Sequence, residues 1–142
     1  ERLTAGIRGL PGIHPHKITD GGYGTYWFYM LRIDPAKLGC TRDEFAEALS
    51  AEGILCSAGY IPQPVYMQPL FLKRQAYPGS SYPFDLSDAS YHAGLCPVAE
   101  EILQTAVRLP ISEFFTDGDI DDMIAGIRKV AEYYTDSHTA RI

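Results

Sequence analysis

The feature that most constrains the fold is the aromatic run at residues 26–34, which reads YWFYMLRID. Alternate residues of a β-strand face opposite sides of the sheet. Both sides of this run are mainly apolar or aromatic: Trp27, Tyr29, Leu31 and Ile33 on one, and Tyr26, Phe28, Met30 and Arg32 on the other. The run therefore predicts a strand that is buried on most of both faces.

A helix and a second strand follow this run. Thr41 and Glu44 have the spacing of a capping box, in which each side chain binds the other residue's backbone N–H. Apolar residues then recur at helical spacing, and Gly53 supplies a left-handed stop. These signals predict a helix over residues 42–52 and a strand over residues 54–60. Strand, helix and strand in close succession form one split α/β unit, which places the chain in the α/β class.

The ends of the chain are patterned differently. Residues 1–25 are rich in glycine and proline and predict the end of a helix followed by a loop. A short helix opening at Pro97 leads to a strand over residues 107–111, which Pro110 places at a sheet edge. Thr116 caps a last helix that runs to about residue 134, and the tail at 135–142 is predicted to be polar and frayed.

The segment from 59 to 95 has an unusual composition. It holds five of the ten prolines and five of the ten tyrosines, and only a short helical turn at 65–72 fits its pattern. Loops of this length are uncommon in compact domains and are usually functional. We interpret it as an aromatic segment that docks on a partner surface.

Charge and cysteine content restrict the function classes. The 142 residues carry a formal net charge of −6, which argues against nucleic acid as a partner. No apolar run approaches the roughly 20 residues that a membrane helix needs. Three widely spaced cysteines suggest neither a disulfide framework nor a zinc site, and they favour a reducing, cytoplasmic environment.

The sequence offers no convincing catalytic or metal site of its own. His14, His16 and Asp20 make an incomplete ligand set, and the acidic run after Thr116 fits a helix cap better than a calcium loop. Cys56 and His92 have nothing that would orient them as nucleophile and base. The four lysines lie in polar or loop contexts, which do not lower an amine pKa for Schiff-base chemistry.

The order of segments resembles a known family. The strand YWFYMLRID is followed by RDEFAEALSAEGI, CSAGYIPQPVYMQPLF, CPVAEEILQTAVRLPIS and TDGDIDDMIAGIRKVAEYY. Together they resemble the C-terminal small domain of DegT/StrS-type sugar aminotransferases of fold type I, over roughly residues 7–134. The resemblance implies a small sheet of three to four strands with helices mainly on one face. It assigns residues 1–25 to the end of an interdomain helix and a loop, and 26–134 to the small domain.

The resemblance also implies a function. The intact enzyme would use pyridoxal 5′-phosphate to move an amino group from glutamate or glutamine to a keto sugar or a related cyclic ketone. The cofactor lysine and a large domain would lie upstream, which agrees with a first residue that is Glu and not Met. This chain would bind no cofactor and be inactive alone, and the intact enzyme would be a homodimer.

The substrate contacts that the resemblance suggests in this chain are Tyr60, Tyr66 and Gln68. Tyr66 stands where many family members have histidine, which is a departure from the usual sugar-nucleotide contacts. The alternative is a stand-alone α/β ligand-binding or regulatory module with no catalysis. It accounts for residues 26–58 and 97–134 but leaves the aromatic segment on solvent.

Overall fold

The computed structural model describes residues 1–140, which form two compact units. The first, here the sheet unit, comprises Glu1–Tyr60 together with 105–140, and the second, here the loop unit, comprises Ile61–Gln104.

The sheet unit contains all four strands of the described residues. Its elements are α1 (Arg2–Ile7), β1 (Ile13–His14), β2 (Phe28–Ile33), α2 (Pro35–Leu38), α3 (Arg42–Ala51), β3 (Ser57–Ala58), β4 (Ala106–Pro110) and α6 (Asp117–Thr139). The strand order is β1-β2-β4-β3, and every neighbouring pair is antiparallel. The predicted α/β class and the small sheet are confirmed.

One face of the sheet carries the hydrophobic core. Tyr29, Leu31 and Ile33 of β2 are buried there with Val107 and Leu109 of β4. The helices complete this core with the following buried apolar side chains: Leu3, Ile7, Leu38, Phe45, Leu49, Met123, Ile127 and Val130. The helices thus bury the alternate positions of β2 and β4 on the same side of the sheet.

The expectation that β2 is buried on both faces is wrong in part. Phe28, Met30 and Arg32 are only half-buried, and Trp27 is 80% exposed. Trp27 precedes the strand, whose pairing with β4 ends at Phe28 opposite Pro110. The helices that form the core pack on the face of Tyr29. The aromatic residues of the other face therefore suggested more burial than that face has.

Pro110 does not lie on an edge strand. β4 is a central strand, paired with β2 over its whole length and with β3 only at Val107 and Arg108. The proline is tolerated because β3 is so short that it never reaches Pro110.

Two predicted boundaries also need correction. The strand predicted over 54–60 is reduced to Ser57–Ala58. At its start, the Ile54 N–H donates to the Leu49 carbonyl at the end of α3, and at its end Gly59 has a left-handed backbone conformation with φ +69°. The residues after 134 were predicted to be frayed, but α6 continues to Thr139. Thr135 and Thr139 each donate their hydroxyl to the carbonyl four residues earlier, at 2.8 Å. Residues 141 and 142 lie outside the described part.

The loop unit consists of short helical pieces. Two 3-10 turns, Val65–Met67 and Phe84–Leu86, accompany α4 (Pro69–Leu72) and α5 (Pro97–Thr105), which ends where β4 begins. The helical turn predicted at 65–72 and the helix opening at Pro97 are confirmed.

Candidate functional site

Tyr66 is the centre of a hydrogen-bond network in the loop unit. Its hydroxyl donates to the Glu100 carboxylate and accepts the backbone N–H of Cys96 at 3.2 Å. The same carboxylate oxygen accepts the N–H of Gly94 at 2.7 Å. The turn at Val65–Met67 is thereby tied to the residues that open α5.

The network changes the pKa values of both partners. Desolvation, followed by the bond to Glu100, raises the pKa of Tyr66. The bond from Tyr66 lowers the pKa of Glu100, and the backbone N–H groups of Gly94 and Cys96 contribute further. The phenol is therefore protonated and the carboxylate ionised at neutral pH. A hydroxyl has two lone pairs, so Tyr66 can accept one more hydrogen bond.

Gln68 lies two residues after Tyr66, at the start of α4. Its backbone carbonyl accepts the N–H groups of Phe71 and Leu72, at 2.9 and 3.1 Å. Its side chain is exposed and makes no capping bond to α4. The amide group is thus available to a ligand.

Tyr60 belongs to the sheet unit and is 53% exposed. The guanidinium of Arg108 lies 4.2 Å from the centre of its ring, and Phe28 contacts the ring edge-on at 6.0 Å between centroids. Arg108 also donates to the Ser57 hydroxyl at 3.1 Å. The ring is held by a cation–π contact while its surface remains accessible.

Sequence reasoning missed the contribution of Arg74. Its guanidinium donates to the backbone carbonyls of Phe84, Ser87 and Ala89. Next to it, the rings of Phe71, Phe84 and Tyr91 form a cluster with centroid distances of 5.2–6.0 Å. No residue of the loop unit is fully buried, so these contacts replace an ordinary core. Only the concentration of rings in the sequence hinted at this arrangement.

None of the four lysines of the chain lies in a buried setting. All four lysines are exposed, and two are in ion pairs: Lys37 with Asp34 at 3.6 Å and Lys129 with Glu52 at 2.6 Å. An exposed or ion-paired lysine lacks the desolvated, apolar surroundings that activate an amine for Schiff-base chemistry. The lysines of this chain therefore do not fit a cofactor attachment site.

Over residues 1–140, no three His, Cys, Asp or Glu side chains come close enough together to hold a metal ion. Within the same range, no helix combines the length and hydropathy that crossing a bilayer requires.

Comparison with known sequences identifies the family. Residues 1–128 match the DegT/DnrJ/EryC1/StrS aminotransferase family. The spore coat polysaccharide biosynthesis protein SpsC of Bacillus subtilis (strain 168) is 26% identical over 132 residues, which span 92% of this chain and 30% of SpsC. The resemblance seen in the sequence is thus confirmed.

Solved structures show the same fold. DesV of S. venezuelae, solved in complex with a ketimine intermediate, matches 92% of this chain with a TM-score of 0.69 and 23% identity. DesI, solved in the presence of its TDP-sugar product, matches 99% with a TM-score of 0.68 and 23% identity. The matched region covers 29% of DesV and 31% of DesI, so this chain spans less than a third of each.

Proposed function

Because this chain belongs to the DegT/DnrJ/EryC1/StrS aminotransferase family, we propose that it is the C-terminal part of a sugar aminotransferase. The intact enzyme would transfer an amino group from glutamate or glutamine to a keto sugar, often nucleotide-linked, or to a related cyclic ketone. The observation that carries this proposal is the family match over residues 1–128, which includes the whole loop unit and the sheet unit up to residue 128.

The family depends on pyridoxal phosphate, which supplies the electron sink and carries the amino group when bound. The exposure of all four lysines supports an attachment lysine in a large domain outside this chain. We propose that the intact enzyme is a cytoplasmic homodimer. The free thiols of Cys40, Cys56 and Cys96 agree with a reducing compartment.

This chain would contribute substrate contacts. The exposed amide of Gln68 can both donate to and accept from sugar hydroxyls. The hydroxyl of Tyr66, oriented by Glu100 and Cys96, can accept one more bond. Tyr60 offers a third hydroxyl on a ring that Arg108 holds in place. Each such bond is worth on the order of 1 kcal/mol net.

The test is amino transfer by the full-length protein. Glutamate or glutamine labelled with ¹⁵N at the α-amino group is incubated with a TDP-linked keto sugar, and the products are analysed by mass spectrometry. The proposal expects ¹⁵N in the amino group of the sugar. It also expects the unlabelled 2-oxo acid of the donor to form in an amount equal to that of the amino sugar. Label that stays on both donors with a series of keto sugars and cyclic ketones would refute it.

A second arm uses the 142-residue chain alone. We expect no transfer and no stoichiometric lysine adduct after incubation with pyridoxal phosphate and borohydride reduction. A single-site adduct that one Lys→Arg substitution abolishes would place the cofactor lysine in this chain and contradict the assignment.

A further inference from the structure

Glu100 fixes the direction of the hydrogen bond that joins it to Tyr66. It lies in the first turn of α5, where its own backbone N–H donates to the Cys96 carbonyl at 3.0 Å. Its Oε1 atom accepts both the Tyr66 hydroxyl and the backbone N–H of Gly94. An ionised carboxylate has no proton to donate and acts only as an acceptor. The single proton of the phenol is therefore committed to Glu100.

The oxygen of the same phenol is partly occupied from a second side. The backbone N–H of Cys96 donates to it at 3.2 Å. Because its proton is already engaged, the hydroxyl offers a ligand one acceptor position and no donor. Tyr66 thus differs from Gln68, whose exposed amide can donate as well as accept.

An oxygen that can only accept discriminates between the polar groups of a sugar substrate. The keto oxygen, the ring oxygen and the ionised phosphate oxygens of a nucleotide-linked sugar carry no proton, so none of them can bind such a phenol. A sugar hydroxyl carries the proton that is needed. When a group without a proton faces the phenol, two acceptors meet, and both lose hydrogen bonds that water would have supplied.

We propose that Glu100 is a positioning residue that restricts Tyr66 to accepting from the substrate, and that the substrate therefore donates a free hydroxyl group to Tyr66. The inference rests on the proposed function and narrows its substrate class, because a cyclic ketone without a hydroxyl at that position would be a poor substrate. Glu100 acts through the phenol and not by touching the substrate.

The experiment measures kcat/KM of the full-length enzyme for a TDP-linked keto sugar and for analogues of it. In each analogue one ring hydroxyl is replaced by hydrogen or by fluorine, which can accept a hydrogen bond but cannot donate one. The variants are Tyr66→Phe, which removes the acceptor, and Glu100→Leu, which removes the partner of the phenol proton. The matched control is Glu113→Leu, the same change at an exposed position of the sheet unit. Circular dichroism verifies that each variant is folded.

At one ring position we expect the hydrogen and fluorine analogues to lose kcat/KM equally, by about fivefold, which is the effect of one lost hydrogen bond. In Tyr66→Phe the sugar and these two analogues should react alike. In Glu100→Leu the released phenol proton can donate to fluorine, so the fluorine analogue should exceed the hydrogen analogue by about two- to threefold. This ratio compares two substrates of one enzyme, so a general loss of activity does not change it. Glu113→Leu should keep the ratio of the parent.

Three results would overturn the inference while the unmodified sugar is still turned over. The first is that Tyr66→Phe removes the loss at no ring position. The second is a fluorine analogue that exceeds the hydrogen analogue already in the parent, since the phenol would then be a donor. The third is an unchanged ratio in Glu100→Leu. If that variant does not fold, the first two comparisons decide. A full-length enzyme that transfers no amino group to any unmodified keto sugar would refute the proposed function and this inference with it.

Discussion

The hydroxyl of Tyr66 donates to the carboxylate of Glu100, 34 residues further along the chain. Through this bond one side chain joins the turn before α4 to the first turn of α5. In the proposed substrate contact, a phenol fixed by two partners would have little rotational freedom left to lose.

Tyr66→Phe should raise the pKa of Glu100 toward its ordinary value of 4.5. The remaining N–H of Gly94 keeps it partly lowered. A lowered carboxylate pKa adds folding stability above the ordinary value, and this contribution is lost as the pH falls through the folded-state pKa. The variant should therefore lose less stability on acidification than the parent.

Carboxyl ¹³C NMR between pH 2 and 7 measures the pKa of Glu100. The control is Tyr77→Phe, at a tyrosine that is 60% exposed. An unchanged Glu100 pKa in Tyr66→Phe would show that the bond does not form in solution.

The two long helices begin at true capping boxes. The Thr41 hydroxyl accepts the N–H of Glu44 at 3.2 Å, and the Thr116 hydroxyl accepts that of Asp119 at 3.3 Å. Thr41→Ala and Thr116→Ala should each lower the free energy of unfolding by about 0.5–2 kcal/mol in urea titrations. Thr25→Ala, at an exposed loop position, should change it by less than about 0.5 kcal/mol. Cap variants as stable as this control would mean that the helices start elsewhere.

Local signals in the sequence predicted these caps because both partners lie within four residues of each other. The same holds for β2, whose alternating pattern lies in one continuous run. That only one of its faces is buried, however, depends on which side of the sheet the helices cover. The short β1, the central position of β4 and the length of β3 depend on partners 18 to 82 residues away. Neither Pro110 nor the apolar run at 54–60 carries that information.

For the candidate site, the sequence identified residue types and not their partners. Tyr66 and Gln68 were named from a resemblance, while Glu100 gave no signal beyond an acidic residue in the first turn of a helix. The sequence likewise gave no signal for the role of Arg74. Its three acceptors are backbone carbonyls, which every sequence possesses.

The three cysteines should differ in reactivity. Burial, with a smaller contribution from the Glu44 charge, raises the pKa of Cys40 to about 11. At pH 8 its thiolate is scarce and its side chain is only 6% exposed, so a thiol reagent should modify Cys96, which is exposed, well before Cys40. Mass spectrometry of labelled peptides gives the order. In concentrated urea the three rates should converge, and equal rates without urea would argue against the buried position of Cys40.

The loop unit should be held by Arg74 more than by any core. We expect fast amide exchange across 59–95 beside slow exchange in 27–33 and 120–131. Arg74→Gln should accelerate exchange at 84–91 further, since three carbonyls lose their donor. Lys73→Gln is the neighbouring control with the same loss of charge. The measurement is hydrogen-exchange mass spectrometry. Uniform protection of the 142-residue chain would show that the loop unit is stabilised by contacts other than those of Arg74 and the neighbouring aromatic rings.

The central claim is that this chain binds substrate in an aminotransferase whose cofactor is attached elsewhere. The most direct test is steady-state kinetics of the full-length enzyme with Gln68→Ala, and with Gln75→Ala as a control at another exposed glutamine of the loop unit. We predict that Gln68→Ala raises the KM for the keto sugar about fivefold, on the order of one lost hydrogen bond, with the donor KM and the cofactor absorbance unchanged. A sugar KM equal to that of Gln75→Ala, or a lost cofactor absorbance, would contradict the account.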